Sequence, residues 1–154
     1  MSLISLEDAV KIRENLRQQN KKVVITNGCF DILHVGHVRY LQQTKSFGDI
    51  LIVLMNSDLS VKKIKGEDRP INNENDRAEI LSALSCVDYV VKFDETSVSN
   101  LLEKLKPDVY TKGADYTLET LPERDIVKKL NIEVKFIDFV NGKSTTNLIE
   151  KIKN

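Results

Sequence analysis

The chain has 154 residues, of which 41% are hydrophobic and 30% charged, and its formal net charge is zero. This length suits one domain, and the composition is typical of a globular protein. The zero net charge argues against nucleic-acid-binding and membrane-surface proteins that depend on an overall basic field. No apolar run reaches the roughly 20 residues that span a bilayer, and no secretory signal pattern starts the chain. We therefore expect a cytoplasmic protein with no membrane partner.

The predicted elements alternate between helices and strands along the chain. A capping-box pattern at residues 5–8 opens a leading helix within residues 1–20. A second helix follows the first strand and ends near residue 47, with Gly48 as the expected C-cap. Residues 56–69 predict a short helix and then an exposed, mobile, basic loop. The predicted strands are the apolar segments 23–26, 50–55, 87–93, 108–111 and 132–137.

This alternation predicts a Rossmann-like α/β fold, a doubly wound, five-stranded parallel sheet. No internal repeat or linker divides the chain, so we expect a single domain over residues 1–154. In such sheets ligands bind at the carboxyl ends of the strands, near the point where the strand order reverses. Four polar stretches are expected at this edge, namely residues 27–37, 56–69, 112–116 and 142–146.

His34 and His37 are the only histidines, and they lie at the expected start of a helix. There the positive end of the helix dipole and two imidazole N–H donors suit an anion. The same pair could instead cap the helix, act as an acid and a base, or bind a metal, although no third metal ligand is evident. Gly28 just before them suits a tight turn and lets main-chain N–H groups approach a ligand.

Lysines at 62, 63 and 65 could be an ordinary solvated face, but they follow a predicted strand and precede Gly66 and Arg69 in a loop-like segment. The hydroxyls at 144–146 suit a helix N-cap, and capping and phosphate binding use the same free N–H groups. The Walker and G-x-G-x-x-G motifs are absent, as is a G-x-S-x-G elbow. The residues alone thus favour binding of a nucleoside triphosphate through histidines, lysines and helix N-termini, and they leave the reaction open.

The spacing Gly-x-Phe-Asp-x-x-His-x-Gly-His occupies residues 28–37, and Ser-Thr-Thr occupies residues 144–146. With these two motifs the chain resembles the HxGH cytidylyltransferase-like nucleotidyltransferases, whose fold is of the HUP type. Within that group it most resembles the adenylyltransferase domains of the enzymes that make ADP-heptose for the lipopolysaccharide core. The matching stretches are TNGCFDILHVGHVRYL, NSDLSVKKIKGEDRPIN, LKPDVYTKGADY and GKSTTNLI.

This resemblance implies transfer of a nucleoside monophosphate, expected from ATP, to a sugar 1-phosphate, expected to be heptose 1-phosphate. Pyrophosphate would leave, and Mg²⁺ would enter with ATP. His34 and His37 would donate hydrogen bonds to the triphosphate, and Lys62 and Lys65 would neutralise its charge. The residues expected to bind the nucleotide or lie near the acceptor are Asn27, Gly28, Phe30, Asp31, Gly36, Arg77, Lys112, Gly113, Asp115, Ser144, Thr145 and Thr146.

Other activities of the same family stay open. Glycerol-3-phosphate cytidylyltransferases and FAD synthetases share the histidine motif but differ in the loop at 112–116. Ala114 stands where a glycine is expected in that loop, which leaves the sugar open. An inactive nucleotide-binding module is the alternative of another class, and the intact histidine, lysine and hydroxyl motifs argue against it. The expected partners are a nucleoside triphosphate, a small sugar phosphate and a second copy of the chain, with no nucleic acid.

Overall fold

The computed structural model of the chain describes residues 2–138 and 144–154. Within these residues a six-stranded sheet runs through the molecule, and every neighbouring pair of strands in it is parallel. The strands are β1 Leu3–Ile4, β2 Val23–Gly28, β3 Ile50–Asn56, β4 Tyr89–Phe93, β5 Val109–Gly113 and β6 Glu133–Ile137. The helices are α1 Leu6–Gln18, α2 Val35–Lys45, α3 Asp58–Lys65, α4 Glu74–Ala83, α5 Ser99–Leu105, α6 Arg124–Lys129 and α7 Thr145–Lys153.

The predicted α/β fold class is confirmed, with one strand more than expected. The five predicted strands correspond to β2 through β6. The additional strand, β1, pairs with β4 at the edge of the sheet, with Leu3 opposite Val90 and Ile4 opposite Val91. Two residues are too short to show the alternation that predicts a strand. Only the neighbouring edge of β4 makes this segment extended.

The sheet is buried on both faces, which explains the β-branched character of its central strand. Val23 and Ile25 of β2 belong to one apolar cluster with residues of α1 and α5. Val24 belongs to a second cluster on the other face, with Leu41 of α2 and Leu81 of α4. Because successive side chains of a strand point to opposite faces, both faces of β2 need apolar residues.

Gly48 is required by close packing, and its predicted role as a helix C-cap is wrong. Helix α2 ends at Lys45, and Ser46 is its C-cap with right-handed backbone angles. A Cβ atom on Gly48 would lie 2.6 Å from Cγ2 of Val24 and 2.9 Å from the carbonyl oxygen of Lys22. The turn after α2 passes so close to the start of β2 that no side chain fits.

The strand order β1-β4-β3-β2-β5-β6 places the reversal of chain direction at β2. From β2 the chain winds one way through β3 and β4, and it then returns to pair β5 with the other side of β2. The carboxyl ends of β2 and β5 therefore border the crevice in which such sheets bind ligands. No helix within the described residues is long and apolar enough to cross a membrane.

Candidate functional site

A cavity of about 610 Å³ opens at this crevice. The turn after β2, the end of α3, the loop after β5 and the start of α7 contribute to its walls. All residues that the sequence predicted for the site line it, except Lys62 and Arg77. The predicted residues that the structure brings together there are Asn27, Gly28, Phe30, Asp31, His34, Gly36, His37, Lys65, Lys112, Gly113, Asp115, Ser144, Thr145 and Thr146.

The turn after β2 is shaped by Gly28 and Phe30. Phe30 adopts a left-handed backbone conformation with φ of 50°, which is unusual for a residue with a side chain. Its ring is 7% exposed and lies over Gly28, where an added Cβ atom would come within 2.8 Å of Phe30 Cε2. A side chain at position 28 would therefore require the Phe30 ring to move. This packing sets the path of the chain that leads into α2.

The two histidines form the N-terminal cap of α2. Nδ1 of His34 accepts a hydrogen bond from the backbone N–H of Gly36 at 3.0 Å. Nδ1 of His37 accepts one from the backbone N–H of His34 at 3.3 Å, and the two rings stack with centroids 4.0 Å apart. A nitrogen that accepts an N–H carries no proton, so these bonds assign the proton of each neutral ring to Nε2. Capping at Nδ1 and donation to a ligand at Nε2 are therefore compatible.

His37 is held in its neutral form. Burial, the adjacent His34 and the ammonium group of Lys65 together lower its pKa from 6.5 to about 4. Its ring also contacts the edge of the Phe30 ring, with centroids 5.4 Å apart. At neutral pH the group is therefore suited to donate a hydrogen bond from Nε2, and a base with so low a pKa is weak.

The imidazole of His37 should titrate near pH 4 in the ligand-free protein. Since the pKa in the unfolded chain is near 6.5, the unfolded state binds more protons than the folded state between these two values. The contribution of His37 to stability is therefore complete above pH 6.5 and is lost as the pH falls to about 4. The Cε1–H signals of the two histidines in NMR spectra check this directly. Two signals that both titrate near 6.5 would contradict the burial of His37.

Lys62 and Lys65 both lie in α3, and the structure separates their positions. Lys65 lines the cavity, and its charge contributes to the lowered pKa of His37. Lys62 is exposed and does not line the cavity. The helix extends to Lys65 and ends at Gly66, whose φ of 103° suits glycine. Of the two lysines predicted to neutralise the charge of the triphosphate, only Lys65 thus lines the cavity.

The segment after Gly66 was predicted as a mobile loop, and its last part is tied to the turn after β2. The buried carboxylate of Asp31 accepts hydrogen bonds from Nε of Arg69 at 3.0 Å and from the backbone N–H groups of Ile71 and Asn72, each at 2.8 Å. Burial by itself raises the pKa of Asp31, but these hydrogen bonds lower it overall. Asp31 lines the cavity, but its oxygens are already engaged in holding this loop.

Arg77, which the family resemblance predicts to bind the nucleotide, lies in the interior of the protein. It is 1% exposed and does not line the cavity. Its guanidinium donates to the carbonyl oxygens of Cys29 and Asn56, each at 2.7 Å, and to that of Asn72 at 3.1 Å. Nη2 also pairs with Asp58 at 2.8 Å. Arg77 thus joins the ends of β2 and β3 to the start of α4, and it shapes the site from behind.

The loop after β5 contributes Lys112, Gly113 and Asp115. Nζ of Lys112 lies 4.8 Å from the centroid of the Tyr116 ring. The phenol of Tyr110 donates to Oδ1 of Asn27 at 2.5 Å and joins the ends of β5 and β2. Burial and the nearby Glu123 carboxylate raise the pKa of Tyr110 well above its usual value, so it remains a donor.

Two hydroxyl groups at the start of α7, those of Ser144 and Thr145, form hydrogen bonds within the protein. Oγ of Ser144 accepts from the backbone N–H of Asn147 at 2.9 Å, and Oγ1 of Thr145 donates to the carbonyl oxygen of Ile32 at 2.9 Å. The second bond fixes the start of α7 beside the turn after β2. Gly142 and Lys143, the first part of the predicted stretch, lie outside the described residues.

Several lining residues were not among the predicted site residues. Arg69 was visible in the sequence only as one of several basic residues in a loop-like segment. Glu123 is 3% exposed, and nothing in its charged surroundings in the sequence distinguishes it from a solvated residue. Asn56, at the end of β3, also lines the cavity and hydrogen-bonds Ser60 at 2.9 Å.

Comparison with known proteins finds the family that the sequence motifs resemble. The model of the cytidylyltransferase-like family matches residues 25–151. The bifunctional protein HldE of Geobacter sulfurreducens is 54% identical over 136 residues, which are 88% of this chain and 28% of the relative. The bifunctional protein HldE of Campylobacter concisus is 55% identical over 150 residues, which are 97% of this chain and 31% of the relative. The chain thus spans about 30% of the length of these relatives.

Two solved structures are similar to this chain in fold. The crystal structure of the lipopolysaccharide core biosynthesis protein from Thermoplasma volcanium is 33% identical, with a TM-score of 0.62, and the match covers 78% of this chain and 97% of the other. Pantothenate synthetase from Thermus thermophilus has the same TM-score of 0.62 at 19% identity, over 91% of this chain and 62% of the other. The second likeness concerns the fold alone.

Proposed function

This chain belongs to the cytidylyltransferase-like family, and from that membership we propose that it transfers a nucleoside monophosphate from ATP to heptose 1-phosphate. The observation that carries the proposal is the cavity in which His34, His37, Lys65 and the start of α7 meet. Two relatives more than 50% identical are bifunctional HldE proteins, and a solved relative is a lipopolysaccharide core biosynthesis protein. These names support a sugar phosphate of that pathway as the acceptor.

In the proposed reaction a phosphate oxygen of the sugar 1-phosphate attacks the α-phosphorus of ATP. The new P–O bond replaces the bond between the α-phosphorus and its bridging oxygen, and the electron pair leaves with pyrophosphate. The attacking phosphate is already anionic, so a general base is not required. Catalysis of this kind depends on positioning and on stabilisation of charge in the transition state. The Nε2–H groups of His34 and His37 and the ammonium group of Lys65 provide that stabilisation.

The nucleotide is proposed to lie between the turn after β2 and the start of α7. The N–H groups in the first turn of a helix bind phosphate readily, and α7 begins at the cavity. Mg²⁺ would enter with ATP, and it prefers oxygen ligands from substrate phosphates and one or two carboxylates. Asp115 and Asp138 line the cavity and suit this role, whereas the oxygens of Asp31 are already engaged. When bound, the ion would neutralise charge on the phosphates.

A pyrophosphate-release assay tests the reaction. ATP, CTP and GTP are each combined with heptose 1-phosphate, glycerol 3-phosphate and FMN, with Mg²⁺ present. We expect release with ATP and heptose 1-phosphate. Release only with CTP and glycerol 3-phosphate would indicate a glycerol-3-phosphate cytidylyltransferase instead. Release only with FMN would indicate an FAD synthetase. Binding of ATP without release from any pair would favour an inactive nucleotide-binding module.

Lys65 and Lys62 form a matched pair for testing the site. The Lys65→Gln variant should lower kcat/KM roughly ten- to hundredfold, because a hydrogen bond from a charged donor typically contributes about 1.5–3 kcal/mol. The Lys62→Gln variant removes the same charge from the same helix, away from the cavity, and should retain activity within about twofold. Steady-state kinetics of both variants check this. Equal losses would show that only the general charge of α3 matters.

A further inference from the structure

Two buried side-chain atoms in the described part of the chain lack a hydrogen-bond partner. They are Nη2 of Arg69 and Oε2 of Glu123, and both residues line the cavity. A buried polar group without a partner destabilises the folded protein, and more so when it is charged. Such atoms in the wall of a cavity are expected to find their partner in a ligand. Because Arg69 and Glu123 have opposite charges, they suit different parts of that ligand.

The guanidinium of Arg69 is held in place before any ligand binds. Nε donates to Asp31 at 3.0 Å, and the side chain is 12% exposed. Asp31 is itself fixed by the backbone N–H groups of Ile71 and Asn72. Since the guanidinium is planar, fixing Nε also fixes the direction in which Nη2 donates. Little side-chain entropy remains to be lost on binding.

The end of β2 divides the cavity into two sides. One side carries Asn56, Lys65, Arg69 and Thr96, which belong to β3 and to the segments after β3 and β4. The other side is formed by the loop after β5, by Glu123 and by the start of α7. Glu123 would repel a phosphate placed directly against it, whereas a carboxylate accepts hydrogen bonds from hydroxyl or amino groups.

We propose that Arg69 binds the phosphate group of the acceptor, with Nη2 donating to a phosphate oxygen. This inference rests on the nucleotidyl transfer proposed above, and it places the attacking phosphate on the side of β3. Arginine suits phosphate because its planar, permanently charged group matches the geometry of the oxygens. Lys65, on the same side, supplies the second positive charge. The triphosphate of ATP is left to the histidines and the start of α7.

Steady-state kinetics separate the two substrates. The Arg69→Lys and Arg69→Gln variants should raise KM for heptose 1-phosphate roughly ten- to hundredfold and leave KM for ATP within about threefold. Arg124→Gln, which removes an exposed arginine outside the cavity, is the control and should change neither. A raised KM for ATP with an unchanged KM for the acceptor would overturn the proposal and assign Arg69 to the nucleotide. An unchanged KM for both would also overturn it.

Equilibrium binding tests the inference independently of turnover. Heptose 1-phosphate and inorganic phosphate are titrated calorimetrically into the parent chain and the Arg69 variants without ATP. The parent should bind both ligands, and Arg69→Gln should bind each at least tenfold more weakly. In a separate titration, both proteins should bind ATP equally well. If Arg69→Gln loses phosphate binding but the parent releases no pyrophosphate in the activity assay, the proposed reaction is refuted and the phosphate site is supported. Absence of binding to the parent, or equal binding to both proteins, would refute the site.

A merely structural role of Arg69 is distinguished by ligand-induced stabilisation. A ligand that binds the folded state raises the melting temperature with its concentration. The parent should gain stability from heptose 1-phosphate, and Arg69→Gln should gain it from ATP alone. If the variant is less stable but gains as much from heptose 1-phosphate as the parent does, the residue only holds Asp31 and the proposal is wrong.

Discussion

Replacing His37 with alanine should lower kcat for nucleotidyl transfer roughly 10²- to 10³-fold, about 2.7–4 kcal/mol, because one preorganised donor to the transition state is lost. The neutral ring, with Nδ1 bound to the backbone N–H of His34, presents its only N–H at Nε2. A group with a pKa of about 4 keeps this form across the neutral range. Single-turnover kinetics with saturating ATP and acceptor measure the effect.

Two further variants of His37 separate donation from capping. Asparagine can still accept the N–H of His34 near the position of Nδ1, but it is too short to replace Nε2. Glutamine can place an amide N–H near Nε2 and loses the cap. Activity should therefore be higher in His37→Gln than in His37→Asn, whereas stability to urea should be higher in His37→Asn. If His37→Asn turns over like the parent, the residue is only a cap.

Replacing Arg77 with methionine should lower the free energy of unfolding by about 3–5 kcal/mol, because a buried charged donor to three carbonyl oxygens and to Asp58 is removed. Methionine fills much of the volume but leaves the carbonyl groups of Cys29, Asn56 and Asn72 without their donor. The carboxylate of Asp58 also loses its partner. Urea unfolding followed by circular dichroism measures the change.

The matched control is Arg124→Met, because Arg124 is exposed and its partners among the described residues, Asp125 and the carbonyl group of Glu119, are exposed as well. It should change the free energy of unfolding by less than about 0.5 kcal/mol. Arg77→Lys keeps the charge but cannot reach all of the carbonyl groups, so an intermediate loss is expected. If Arg77→Met unfolds at the same urea concentration as the parent, the buried guanidinium is not what joins β2, β3 and α4.

The two arginines show where sequence reasoning succeeds and fails. The family resemblance predicts that Arg77 binds the nucleotide. Arg69 lies in a basic segment whose residues look alike in the sequence. The fold places them differently from this expectation: Arg77 points into the interior, and Arg69 reaches the cavity wall. The direction of a long side chain depends on which elements pack around it. The local sequence pattern does not predict this packing.

The lysines and hydroxyls of the predicted motifs show that sequence reasoning also fails to predict side-chain contacts between residues close together in the chain. Lys62 and Lys65 differ by three positions in one helix, yet Lys65 alone reaches the cavity, because α3 ends there. The hydroxyl of Ser144 caps the helix, and that of Thr145 donates to Ile32, so both already have a partner within the protein. A motif predicts which residues lie close together at a site. The hydrogen bonds that these residues form within the protein determine which of their atoms can still bind a ligand.

The sequence by itself determined the α/β class, five of the six strands and the place of the site at the carboxyl edge. These follow from signals within single segments, namely two-sided apolar strands such as residues 23–26 and the motif at 28–37. The tertiary structure alone decided the tautomers of His34 and His37, the low pKa of His37, the edge strand β1 and the unpaired Nη2 of Arg69. The physical reason is that periodicity and capping act between residues a few positions apart. Burial, charge and hydrogen bonding at the site instead depend on contacts between segments as distant as Asp31 and Arg69.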